Sequence, residues 1–211
     1  MRALLASLLT AGLVIGMVAP ASAHPHVWVT TRAELVYAPD GRLAAIRHAW
    51  TFDEGYSAYV TQGLVTNGRM DPVQARELAQ TNLESLAENG YFTDLRAGGV
   101  KQDFAAAEDA ELGLDGKRLT LRFTLPLKAP KPAGRVLLDV YDPTFFVDFS
   151  VAEGDDAVRL AGAPAGCGVS VQRPKPEAKT GQGNLSEAFF EALSATNVGA
   201  QFANRAVVTC R

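Results

Sequence analysis

Two alternating apolar stretches of nearly equal length, separated by one strong turn signal, constrain this chain more than anything else in it. Val27 to Tyr37 alternates, Pro39-Asp40-Gly41 interrupts, and Leu43 to Asp53 alternates again. Side chains two apart on an extended chain share a face, so each stretch reads as a strand with one side buried, and the pair as a long hairpin. If Asp40-Gly41 is a two-residue turn, Pro39 pairs with Arg42 and the whole register follows. Trp28 then lies opposite Asp53, Val27 opposite Glu54, and Ala33 opposite His48. A slip of one residue would send every side chain to the other face.

After the hairpin the period changes. Tyr56, Tyr59, Val60 and Leu64 have helical spacing over Gly55 to Leu64. Asp71 as N-cap and Pro72 at the first helical position open a second helix. Its apolar stripe is Ala75, Leu78, Ala79, Leu83 and Leu86, and Gly90 ends it. Strand-like runs follow at Tyr91 to Arg96, Arg118 to Leu127, Arg135 to Tyr141 and Phe145 to Val151, with Pro126, Pro130 and Pro132 breaking the second from the third. Arg173-Pro174-Lys175-Pro176 reads as an exposed loop. Asn184 with Glu187 resembles a capping box for a third, short helix through Phe189, Phe190 and Leu193. The expected fold is α+β, with a mostly antiparallel sheet, a long N-terminal hairpin and two or three helices.

The hairpin is preceded by Arg2, an apolar run from Ala3 to Val18, and Ala21-Ser22-Ala23. A charged start, a short hydrophobic middle and a small-x-small end make residues 1–23 a cleaved export signal. Residues 24–211 would then form a single periplasmic domain beginning at His24; a cut after Ala21 is the alternative and would leave Ser22 in front. No later stretch is apolar for long enough to span a membrane. The formal net charge is −3 and there is no basic run, which argues against nucleic acid as a partner. The only cysteines are Cys167 and Cys210. An even count in an exported chain favours a disulfide, contributing about 4 kcal/mol in the chain-entropy picture. The rival, a cysteine metal site, lacks nearby imidazoles, since no histidine follows His48.

Cleavage after Ala23 places two of the three histidines, His24 and His26, at the first and third positions of the mature chain. Pro25 between them has no N–H to surrender, which rules out the square-planar cage that uses two deprotonated amides. The terminal amine and two imidazoles remain, a donor set suited to nickel, cobalt, zinc or copper. In the expected register Asp53 shares the face of His26 and is the candidate carboxylate ligand, with Glu54 and His48 as further candidates. His48 falls on the other face and roughly 20 Å along the strand from His26. A simpler reading makes His26 the lead-in to a strand, Asp53-Glu54 the hairpin's end, and Trp28, Trp50, Phe52 and Tyr56 packing residues.

Four segments, in order, resemble a known family. They are His24-Pro25-His26-Val27-Trp28-Val29; Trp50-Thr51-Phe52-Asp53-Glu54 with Ser57; Tyr91-Phe92-Thr93; and Tyr141-Asp142-Pro143-Thr144-Phe145-Phe146. The likeness is to the ZevA-like periplasmic proteins, a domain-of-unknown-function family (number 1007), and runs from His24 to about Phe149. It implies a periplasmic accessory to an inner-membrane nickel/cobalt-type permease, in some cases linked to zinc. Many relatives carry an acidic loop similar to an EF-hand before the helix at Asp71. Here Val65 to Asp71 lacks the spaced carboxylates and closing glutamate of a calcium site, and reads as a structural turn.

The functional expectation is a non-enzymatic metal handler. Two alternatives stand beside it: a copper enzyme with an N-terminal histidine brace, and a structural docking protein for a membrane partner. A hydrolase is disfavoured because no Gly-x-Ser-x-Gly elbow occurs.

Overall fold

The computed structural model describes residues 25–132, 134–174 and 196–211. The expected export signal, His24, Lys175-Pro176 and the capping box expected at Asn184 lie outside the described residues. In chain order the elements are β1 (Val27–Tyr37), β2 (Arg42–Phe52), α1 (Glu54–Val60), β3 (Val65–Thr66), β4 (Arg69–Met70) and α2 (Pro72–Glu88). There follow β5 (Thr93–Ala97), β6 (Val100–Lys101), β7 (Glu108–Asp115), β8 (Arg118–Pro132) and β9 (Val136–Val140). Last come β10 (Val147–Val151), β11 (Val158–Ala161), β12 (Cys167–Gln172) and β13 (Asn204–Cys210). The fold is α+β and mostly antiparallel, with two α-helices among the described residues.

One sheet runs β10-β1-β2-β8-β7, and β11 also pairs with β1; a second runs β12-β13-β9-β5-β6. Their inner faces feed one hydrophobic cluster. Val29, Leu35, Ile46, Trp50, Leu121 and Phe123 come from the first sheet, and Leu95, Val136, Leu138, Ala206 and Val208 from the second. Each Val, Leu, Ile or Phe among them contributes about 1.5–3 kcal/mol on full burial. Cys167 and Cys210 face each other across β12 and β13 and form the disulfide, tying the C-terminal strand to its neighbour.

The hairpin register holds, by a route the sequence reading did not foresee. From Val29↔Phe52 to Val36↔Ala45 every pair is as expected, including Ala33↔His48. The turn, however, is a three-residue loop. Gly41 donates its N–H to the Ala38 carbonyl at 2.8 Å, Ala38 donates to Arg42, and Gly41 takes φ +78°. That loop offsets the pairing by one, giving Tyr37↔Leu43, and a bulge at Ala44 restores it. Two irregularities cancel.

The helices begin where capping chemistry places them. Asp71 accepts from the N–H groups of Val73 and Gln74 and starts α2, which buries Ala79 and Leu83. The first helix is shorter than its spacing suggested, ending at Val60 rather than Leu64. Val65 to Met70 closes as a tight hairpin with Asn67 and Gly68 both at positive φ, the backbone a two-residue loop of this kind requires.

Two strand boundaries need correction. Residues 118–132 form one continuous strand despite three prolines. Pro126 is tolerated because its carbonyl, and therefore the side where its N–H is missing, faces Ala105, beyond the end of β7. The strand expected from Tyr91 instead begins at Thr93, because Gly90, Tyr91 and Phe92 all take positive φ. Left-handed backbone costs non-glycine residues about 1–2 kcal/mol each. Here it turns Tyr91 inward, so that its hydroxyl accepts from Ala107, and sets Phe92 against Phe149.

Candidate functional site

The start of β1 lies between two strands from distant parts of the sequence. On one side Asp53, just past β2, exchanges backbone contacts with Trp28: its N–H donates to the Trp28 carbonyl at 2.9 Å. On the other side β10 runs parallel to β1, pairing Trp28 with Asp148 and Val29 with Phe149. The parallel pairing begins one step earlier, where the N–H of His26 donates to the Phe146 carbonyl at 2.9 Å. Strand alternation then puts His26, Trp28, Phe146, Asp148 and Asp53 on the outward face.

That face is aromatic and open. Trp28 is 52% and Phe146 46% exposed, high for side chains of this size. The His26 ring packs against the Phe146 ring with centroids 4.6 Å apart. Stacking and the backbone bond together fix where the imidazole stands although it is solvent-facing.

Both carboxylate oxygens of Asp53 are engaged by the backbone. One carboxylate oxygen accepts the N–H of Tyr56 at 2.9 Å and caps α1; the other accepts the N–H of Trp28 at 3.0 Å. Its carbonyl accepts the Ser57 hydroxyl, and that oxygen in turn accepts the N–H of Leu119. Asp53 is therefore on the expected face beside Trp28, but as a clamp joining β1, β2 and α1. In the sequence Ser57 carries no signal of this role beyond its place in the family resemblance. Fully buried, it carries this clamp across to β8.

Glu54 and His48 are not brought to His26. Glu54 does not pair with Val27, because the chain turns helical at that residue; its carboxylate lies 3.9 Å from the Lys117 ammonium, in the β7–β8 connection. His48 is buried on the inner face, stacked on Phe123 at 4.9 Å and edge-on to Trp50 at 5.5 Å. Burial pushes its pKa down to about 3, so the ring is neutral. Both its nitrogens, the Trp50 indole nitrogen and the Tyr37 hydroxyl have no hydrogen-bond partner among the described residues. Such buried orphans are rare and costly.

The other two segments of the family resemblance meet each other: Tyr91-Phe92-Thr93 and Tyr141 onward are joined through the backbone. The N–H of Tyr141 donates to the Phe92 carbonyl at 2.9 Å, and a cavity of about 270 Å³ lies between them, lined by Tyr91, Phe92, Asp94, Gln102 and Tyr141. Asp142 is a turn residue. Its carboxylate accepts from the N–H and hydroxyl of Thr144 and from the N–H of Val147. Gly199 packs so closely on the Asp142 carbonyl that a Cβ there would overlap it.

Among the described residues no group of three or more His, Cys, Asp and Glu side chains converges as a metal site. His26 supplies one imidazole, and His24 lies outside the described residues. Both cysteines are in the disulfide, so no thiolate is available.

The chain is thus an α+β protein of two stacked sheets, whose disulfide fits folding outside the reducing cytoplasm. It belongs to the family described as protein of unknown function (DUF1007), whose profile matches residues 9–210. The match runs well past Phe149, through the C-terminal strand. No curated protein matches the chain. No helix among the described residues is long and apolar enough to cross a membrane.

Proposed function

We propose that this chain is an exported periplasmic metal handler that binds a divalent transition ion, nickel, cobalt, zinc or copper, at its mature N-terminus. His24, its α-amine and His26 are the nitrogen donors, and the protein passes the ion to, or receives it from, a nickel/cobalt-type permease of the inner membrane. The observation that supports this most is the setting of His26, held at the open start of a strand by the Phe146 backbone and ring. An exposed, few-ligand site releases its ion faster than a closed four-ligand cage, as transfer demands. The permease half of the proposal rests on the likeness to ZevA-like proteins. Binding weakens as pH falls, because the amine and imidazoles must lose their protons.

The open aromatics Trp28 and Phe146 favour a second reading, a docking face for a membrane partner. A copper brace that recruits a third histidine is less well supported, since His48 is buried on the other face.

The test is metal content. Protein purified from the periplasm without affinity tags carries near-stoichiometric transition metal by elemental mass spectrometry, and the double variant His24→Ala, His26→Ala carries almost none. Equal metal in both would sink the proposal and leave docking.

A further inference from the structure

We propose that the cavity between the end of α2, the β5–β6 hairpin and the β9–β10 turn binds a small organic cation. The ligand group is an alkylammonium or guanidinium, carried by a free amine or by a basic side chain. The site belongs to the second sheet and stands independently of the metal proposal.

The backbone shapes it at a cost. Gly90, Tyr91 and Phe92 take φ +57°, +55° and +46° in succession, a left-handed run that glycine alone adopts freely. Strain of this kind persists where the surroundings enforce it, and it gathers at ligand sites. Here the run forms one wall of the cavity, and Phe104 and Tyr141 add further aromatic residues around it. Aromatic ring faces attract cations. The volume, about 270 Å³, falls just below the roughly 300–1,000 Å³ of drug-sized sites, which fits one side chain or one small amine.

The polar groups favour positive charge. Ala87 and Asn89, at the end of α2, line the cavity, and the last turn of that helix carries no basic residue. Its final carbonyls and the negative end of its dipole therefore meet no cation of their own. Asp103 has its carbonyl fixed by the Lys128 N–H at 2.9 Å, while its carboxylate has no partner among the described residues. Gln102 is 5% exposed; its amide nitrogen donates to the Val100 carbonyl, and its amide oxygen remains as an acceptor for the cavity it lines.

Lys101 is the ammonium in the lining, 3.5 Å from Asp94 and 63% exposed. A pair so open is weak. An incoming cation can take its place beside Asp94, whose other partner is Arg96 at 3.0 Å. An anion would meet Asp103 and the helix end instead. A bare metal ion would lack donors, since no cluster of three His, Cys, Asp or Glu converges among the described residues.

The test is an NMR titration of the labelled protein with n-butylammonium and n-butylguanidinium, with butyrate as the anionic control at matched ionic strength. Amide shifts at 90–94 and 101–104 should saturate with the cations and not with butyrate. Asp103→Asn should weaken binding about threefold, the scale of an exposed ion pair, and Lys101→Ala should tighten it by freeing Asp94. Both positions are exposed, so each variant should keep the wild-type spectrum elsewhere. Nα-acetyl-lysine amide separates the sources: binding tighter than n-butylammonium supports a basic side chain, and weaker binding supports a free amine. The proposal is overturned by the absence of saturable shifts at those residues, by butyrate binding as well as the cations, or by unchanged affinity in both variants.

Discussion

Two histidines on one hairpin meet opposite fates. His26 faces solvent and rests against Phe146, itself half exposed. His48 stacks on Phe123 in the core with no hydrogen-bond partner among the described residues for either nitrogen. The tryptophans divide the same way: Trp28 is 52% exposed and Trp50 1%. Position on the pleat decides between them, since even-numbered residues of β1 point outward and their partners on β2 follow. The inner face is a packing surface, and the outer face near the chain's start is the one that can meet an ion or a partner.

Truncating the tryptophans should separate the two faces most sharply. Trp50→Ala removes a fully buried ring that meets His48, Phe123 and Phe149, and should cost about 3–5 kcal/mol in urea unfolding. Trp28→Ser should change stability by less than about 0.5 kcal/mol. Comparable losses would mean that the outer face is also structural.

Acid is the next lever. His48 titrates at about 3 when folded and near 6.5 when unfolded, so its stabilising contribution is complete above pH 6.5 and declines as pH falls toward 3. By pH 5 the loss is about 2 kcal/mol relative to neutral pH. His48→Leu should flatten that part of the stability-against-pH curve relative to wild type. Matching curves for wild type and His48→Leu would show that the ring is not buried and neutral.

Smaller effects refine the picture. Asp53→Ala removes the cap of α1 and should cost about 1 kcal/mol in thermal melts, with Asp53→Asn recovering the cap on Tyr56 but not the bond from the Trp28 N–H. The turn packed under Gly199 gives a related check: Gly199→Ala must push the Asp142 carbonyl away, lowering the melting temperature while leaving metal affinity unchanged. A fall in affinity there would extend the site to the β9–β10 turn.

Much of the hairpin was legible because its hydrophobic alternation fixes the register independently of the turn. The turn is one residue longer than Asp40-Gly41 suggests, and the Ala44 bulge absorbs the difference, so His48 and Asp53 keep the facing that the alternation implies. The helix at Asp71 was legible from its cap and proline. What no local pattern revealed was the parallel docking of β10 on β1, which brings Phe146 and Asp148 to His26 from about 120 residues away. Nor does alternation distinguish a strand start from the positive-φ turn at Tyr91 and Phe92, where apolar side chains are buried by a different backbone. The carboxylate of Asp53 was placed on the right face, but its capping duty depends on where β2 stops and α1 begins, a boundary one residue wide.

The most direct measurement compares processed protein beginning at His24 with a version carrying one extra alanine before it, titrated with nickel, cobalt, zinc and copper against a chelator, the N-termini verified by intact mass. Tight binding by the first that falls sharply in the second is the predicted result, because the extension moves the α-amine away from His26. Equal affinity in both would contradict an N-terminal amine site, and no binding in either would contradict metal handling altogether.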